Sequence, residues 1–344
     1  MNSRPTGPVW LVVLAAGLGL LGVWLSGRHS SGASGPLVVY CAHDAVYSEQ
    51  VLRDFESQSG IPLDIRFDTE ATKSLGLVQL IARERNQPQC DVFWNNELLG
   101  TLELQQQGLL APYRGQGWER MPEQFRDPDG HWVGFAARLR VWIVNTRQMT
   151  ADQESIEQLL EVETSRVAMA MPMFGTTLTH YTVLADRWGL ERLQSWHAEM
   201  RRRGLREVPG NGVVKDVVAH GTNDCGWTDT DDVFVALDAD LPVTQLPVRI
   251  DDSTIAIPNS VAIIRGTKRQ EQARQLVDYL TCAATELRLA RSAARQIPLG
   301  EVADAEVPAE VRQLRTWAAD AVDLRALLPV RKSVLEWLRT EYAP

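Results

Sequence analysis

Short apolar runs of strand character alternate with amphipathic stretches of helical length, and this alternation limits what the chain can fold into more than any other feature. Residues 36–40 (PLVVY) read as a buried strand, residues 46–59 as an amphipathic helix closed by Gly60, and residues 63–67 as a second strand. A helix over residues 72–85 and a strand over residues 91–94 (DVFW), after Pro88, complete the set. Strands joined by helices of this length make parallel crossover units, so the fold class is α/β. At 344 residues the chain exceeds one usual domain, which predicts two lobes.

Residues 132–145 (WVGFAARLRVWIVN) are rich in branched and aromatic residues and are expected to cross between lobes. A second α/β set follows, with strands at residues 167–171 and 224–228 and helices at 177–188 and 190–203. Residues 255–264 (IAIPNSVAII) read as a strand pair broken by Pro258-Asn259 that returns the chain to the first lobe. Helices are expected over residues 270–280, 281–295 and 309–342.

The N-terminus is of another kind. Arg4 precedes an apolar run over residues 9–25, followed by a Ser/Gly-rich linker to Gly35. That composition marks export, either as a cleaved signal or as an uncleaved N-terminal anchor. The net charge of −9 repels a phosphate backbone and excludes nucleic acid as a partner. Cys41, Cys90, Cys225 and Cys282 show no metal-type spacing and are read as free thiols.

Several patterns appear in the order found in one family. Val38-Val39-Tyr40, Pro88 to Phe93, Gly134 to Thr146, Pro172-Met173-Phe174-Gly175-Thr176 and the IPNSVAIIR run at 257–265 resemble segments of bacterial periplasmic solute-binding proteins typified by the ferric-ion-binding proteins. The resemblance implies two α/β lobes with a ligand cleft between them, capture of one small solute by a monomer, and delivery to an ABC permease in the inner membrane. The expected division is residues 1–35 for export and linker, 36–137 with 256–344 for lobe 1 including the C-terminal helices, and 138–255 for lobe 2. Ferric iron is the cargo the resemblance implies first; organophosphonates, polyamines and small anions belong to relatives of the same fold. A membrane-tethered sensory domain and a metal-dependent enzyme are the alternatives. No G-x-S-x-G, H-E-x-x-H or phosphate-loop motif supports the enzyme.

Ligands of open α/β sheets bind beyond the carboxyl ends of strands, so the candidate ligand-binding residues follow strands. In the first lobe these are Asp44, Glu70, Thr72, Asn96 and Glu97, with helix capping as the competing role. In the second, Gly175-Thr176-Thr177 opens a helix whose N–H groups favour an anion. The family's equivalent turn holds an accessory anion; Gly175 matches its glycine and Phe174 replaces its serine. Thr228, Asp229, Asp231 and Asp232 follow a strand, and Asp231-Asp232 fall where ferric-binding relatives carry a Tyr-Tyr pair. Glu97, Asp229, Asp231 and Asp232 are therefore the expected ligands of a metal ion, iron or another hard cation, with Glu97 facing Asp229 and Asp231 across the cleft. Crowded carboxylates call for a cationic partner, and an Asp-rich helix start is the plainer alternative. Arg138 and Arg140 share one face of the crossover, and Arg138 is the candidate for an anionic group.

Overall fold

A computed structural model provides the fold and describes residues 35–68 and 75–343. The chain runs through β1 (Leu37–Cys41), α1 (Ala45–Ser59), β2 (Leu63–Phe67), α2 (Leu75–Arg83), β3 (Val92–Asn95), α3 (Leu99–Gln106), β4 (Leu110–Ala111) and α4 (Gln116–Arg120) to the long strand β5 (Val133–Asn145). It continues through α5 (Gln153–Val162), β6 (Val167–Ala170), α6 (Gly175–Trp188), α7 (Leu190–Arg202), β7 (Arg206–Val208), α8 (Asn211–Ala219), β8 (Cys225–Asp229), α9 (Thr230–Asp238) and β9 (Val243–Pro247). A hairpin of β10 (Arg249–Ile250) and β11 (Ser253–Thr254) leads to β12 (Ala256–Ile264), α10 (Gln270–Leu280), α11 (Ala283–Arg291), α12 (Ala309–Ala318) and α13 (Leu328–Glu341).

Among the described residues, one sheet has the order β2-β1-β3-β12-β5-β8-β6-β7, with β4 beside β12 and β9 beside β5. β1 lies parallel to β2 and β3, and β6 lies parallel to β7 and β8. The seam is β5. Its first half pairs with β12, Val133 opposite Val261 and Leu139 opposite Ala256, and its second half pairs with β8, Arg140 opposite Asp229 and Val144 opposite Cys225. All its residues are buried, which accounts for the unbroken apolar and aromatic run in the sequence.

The expected strand pair over residues 255–264 is instead the single strand β12, whose register with β5 slips between Pro258 and Asn259. Pro258 lacks an N–H for the ladder, and Ala136 is the extra residue opposite, a bulge with φ 43°. Such a left-handed residue with a Cβ costs roughly 1–2 kcal/mol, so its surroundings must hold it there.

Of three apolar clusters, one spans both half-sheets, with Tyr40, Phe93, Trp142 and Trp227 among its members, and the other two each centre on one half. Leu52, Phe55, Val92, Trp94 and Leu276 belong to the one on the first half, and Val141, Ile143, Val214 and Phe234 to the one on the second. α12 adds Val311 and Leu314 to the latter, and α13 lies against α6 and also α3. The C-terminal helices therefore pack on second-half elements as well as first-half ones. The helix expected over residues 309–342 is interrupted by a 3-10 turn at Leu324–Ala326. Cys41, Cys90, Cys225 and Cys282 are free. No helix among the described residues is long and apolar enough to cross a membrane, and the apolar run at residues 9–25 lies outside them.

Candidate functional site

A cavity of about 800 Å³ is lined from both halves of the sheet. The parallel strands end there, so their ends and the loops that follow deliver the lining: Asp44 after β1, Asn96 after β3, Met171 and Phe174 to Thr177 after β6, Pro209 to Val213 after β7, and Asp229, Asp231 and Asp232 at and after the end of β8. The same geometry brings in the starts of α1, α6, α8 and α9. At none of these does the N-cap residue (Asp44, Phe174, Gly210 or Asp229) cap the helix with its side chain. The positive dipole ends of these helices are thereby turned to the cavity, although at α9 the N–H of Asp232 donates to Asp231 Oδ1 at 3.2 Å. Gly175 opens α6 with φ 53° and no neighbour near where a Cβ would sit, so backbone conformation, not space, requires the glycine.

The floor is a charged network. Arg140, fully buried, donates from Nη1 to Asp229 Oδ1 at 2.8 Å, Asn211 Oδ1 at 3.2 Å and Thr176 Oγ1 at 3.3 Å. Thr176 Oγ1 donates to Asp229 Oδ2 at 2.6 Å, and Asn211 Nδ2 donates to the same oxygen at 3.0 Å. Arg138 Nε lies 3.3 Å from Asp229 Oδ2, its Nη1 lies 4.0 Å from Asp231 Oδ2, and its Nη2 donates to the Asn96 carbonyl at 2.9 Å. Burial opposes the charge on Arg138, but Asp231, Asp229, Asp44 and Asp232 outweigh it and hold the guanidinium above its ordinary range. Burial also pushes Asp231 up to about 7, with Asp232, Asp229 and Asp44 adding to the rise and Arg138 opposing it.

The structure sorts the expected residues. Asp44, Asn96, Arg138, Gly175, Thr176, Thr177, Asp229, Asp231 and Asp232 line the one cavity. Carboxylate oxygens of Asp229, Asp231 and Asp232 lie within 4.8 Å of one another. Glu97 is not among them: its two oxygens accept the backbone N–H groups of Leu99 at 2.7 Å and Gly100 at 2.6 Å, which makes it the cap of α3. Thr228 sits behind the wall and orients Asp232, donating to its Oδ2 at 2.7 Å. Glu70 and Thr72 lie outside the described residues. The cationic partner expected for the crowded carboxylates is supplied, for Asp229, by the chain's own Arg138 and Arg140.

Sequence reasoning missed Asn211, whose amide joins α8 to Arg140 and Asp229. Its signal was Pro209-Gly210-Asn211-Gly212 ahead of a helically spaced valine run. Tyr47, one turn into α1, was missed too. Burial, then Asp231, Asp232 and Asp44, push its hydroxyl up to about 12, against Arg138. His180 is buried beside Trp227, and burial pulls it well below the ordinary histidine range.

An α/β sheet bridged by one long crossover strand, with strand ends and helix starts gathered around a cavity at the bridge, is the architecture of a two-lobed binding protein. The chain belongs to the bacterial extracellular solute-binding protein family, whose model matches residues 37–313. It is accordingly a solute-binding protein. Its fold is similar to that of the apo ferric ion-binding protein A of Pasteurella haemolytica, with TM-score 0.77, 20% identity and coverage of 89% of this chain and 97% of that one. It is also similar to the periplasmic binding protein AfuA of Actinobacillus pleuropneumoniae with exogenous fructose-6-phosphate bound, with TM-score 0.74, 16% identity and coverage of 90% and 99%. In sequence it is 29% identical over 124 residues to an uncharacterized protein of Haemophilus influenzae; the match spans 35% of this chain and 33% of that relative.

Proposed function

We propose that the chain is the substrate-binding component of an ABC importer, exported by residues 1–35 and working as a monomer in the periplasm, held to the inner membrane if residues 9–25 stay uncleaved. The two halves of the sheet, divided at the partner change in β5, act as lobes that close on a solute and present it to a permease. The solute is organic. It sets an anionic group against the starts of α6 and α8 beside Arg138, and hydroxyl or ammonium donors against Asp44, Asp231 and Asp232.

One observation carries this reading: the same cavity of about 800 Å³ is lined by two helix starts without side-chain caps, by a buried arginine and by carboxylates. Anions are favoured at helix N-termini, and carboxylates accept from donors. A cavity of that volume suits a small organic molecule. The fructose-6-phosphate bound by AfuA has both kinds of group.

A second reading, ferric iron held with an accompanying anion, is favoured by the close approach of the Asp229, Asp231 and Asp232 oxygens and by the ferric ion-binding relative. Against it, Asp229 already accepts from Arg140, Thr176 and Asn211. Metal analysis of the purified protein, with a melting screen over sugar phosphates, aminoalkylphosphonates, inorganic phosphate and ferric citrate, separates the two. The organic reading expects stabilisation of roughly 2.7 kcal/mol at one hundred times the dissociation constant of an organic phosphate. Copurified iron, or stabilisation by ferric citrate alone, favours the second.

A further inference from the structure

Away from the charged floor, a second buried network joins the cavity to the seam of the sheet. Trp94 on β3 donates from Nε1 to Asn259 Oδ1 at 3.2 Å. Asn259 on β12 donates from Nδ2 to the carbonyl of Ala136, the left-handed bulge residue of β5, and to Gln296 Oε1 at 3.0 Å. Gln296 Nε2 meets His43 Nε2 at 2.6 Å, and His43 Nδ1 lies 3.4 Å from the carbonyl oxygen of Asp44. Trp94 and Gln296 are fully buried, Asn259 is 1% exposed and His43 2% exposed.

The direction of this chain follows from its first member. An indole N–H only donates, so Asn259 turns its oxygen to Trp94 and its amide nitrogen to Ala136 and Gln296. Gln296 must then accept with its oxygen and donate with its nitrogen, which leaves His43 Nε2 as acceptor and Nδ1 as the protonated nitrogen, directed to Asp44. Each link has one satisfying orientation, and a buried group that loses its partner is penalised. The bulge at Ala136 and the loop that carries Asp44 into the cavity are thus held by one set of bonds, although β5 and the β1–α1 loop are far apart in sequence.

We propose that Asn259, Gln296 and His43 are positioning residues that tie the conformation of the crossover at Ala136 to the placement of Asp44, so that solute capture and movement at the seam are linked. The reading of Asp44 as a solute contact is the one proposed above, and the coupling rests on it for its functional consequence only. Severing the middle link tests it. In Gln296→Leu, and in His43→Phe, which keeps a ring against Trp94 and Tyr47, amide hydrogen exchange is measured on the ligand-free protein. The Tyr47 and Ser48 amides, which donate to the Asp44 carbonyl, are expected to exchange at least about tenfold faster in both variants, while amides in the middle of α10 keep their protection. A uniform loss of protection, or unchanged exchange at Tyr47 and Ser48 in whichever variant folds, overturns the coupling. Calorimetric titration with fructose-6-phosphate then reads its consequence: an affinity at least about tenfold weaker than wild type supports it, and equal affinity overturns the link to capture. Absence of binding by wild-type protein faults the proposed solute class alone, and the exchange result still decides the coupling.

Discussion

The turns after β3 and after β8 look alike in sequence, each a buried strand running into polar and acidic residues ahead of a helix, yet their carboxylates do opposite work. Glu97 reaches forward to the first amides of α3 and is spent as a cap. Asp229, also at a helix start, caps nothing and is taken up by Arg140, Thr176 and Asn211. The difference lies across the sheet. Asp229 has Arg140 directly opposite on β5, whereas Ser260 of β12 lies opposite Asn95 at the end of β3 and supplies no charge. A strand-end carboxylate becomes part of a charged floor only where the neighbouring strand brings a cation.

Removing that cation gives the largest effect expected. Arg140→Met leaves Asp229 buried beside a shorter list of donors and should cost about 3 to 5 kcal/mol in urea unfolding. Unchanged stability would mean that Asp229 is not anchored as described. Asp231→Asn comes next, with a sign set by pH. The folded pKa of Asp231 is raised to about 7 from an ordinary 3.8, so wild type loses stability as pH climbs between those values. The variant should therefore be more stable than wild type by about 2 to 4 kcal/mol near pH 8, and the gap should close near pH 4. A pH-independent difference would contradict the buried, repelled carboxylate.

Smaller effects sharpen the same comparison. Gly175→Val forces a β-branched residue into φ 53° and should cost about 1–2 kcal/mol of stability together with the response to anionic solutes. Retained anion response would remove the α6 start from the site. Glu97→Gln keeps one acceptor for α3 and should cost no more than about 1 kcal/mol, with solute affinity unaltered. A large loss of affinity there would restore Glu97 to the cleft.

How far these roles were legible follows from the range over which each is decided. The first strands and helices were readable because burial imposes a local period, and the shared face of Arg138 and Arg140 because strands alternate. β7 and α8 escaped notice: β7 is three residues long with one buried position, and Pro209-Gly210-Asn211-Gly212 has the composition of a loop. Asn211 was lost with them. The misplacement of Glu97 has another origin, since capping an adjacent helix and lining a cavity demand the same residue types, and only the direction of the side chain separates them. That Arg140 faces Asp229 depends on the β5–β8 register, a pairing of residues 89 apart in sequence that no local pattern encodes.

The central claim is that one solute is gripped by helix starts at one end and by carboxylates at the other, and calorimetric titration of wild type and Asp231→Asn with a sugar phosphate and with inorganic phosphate tests it most directly. The account predicts that the variant loses about 2 to 5 kcal/mol of affinity for the sugar phosphate and keeps its affinity for inorganic phosphate. Binding of ferric citrate alone, abolished by the same substitution, would contradict it.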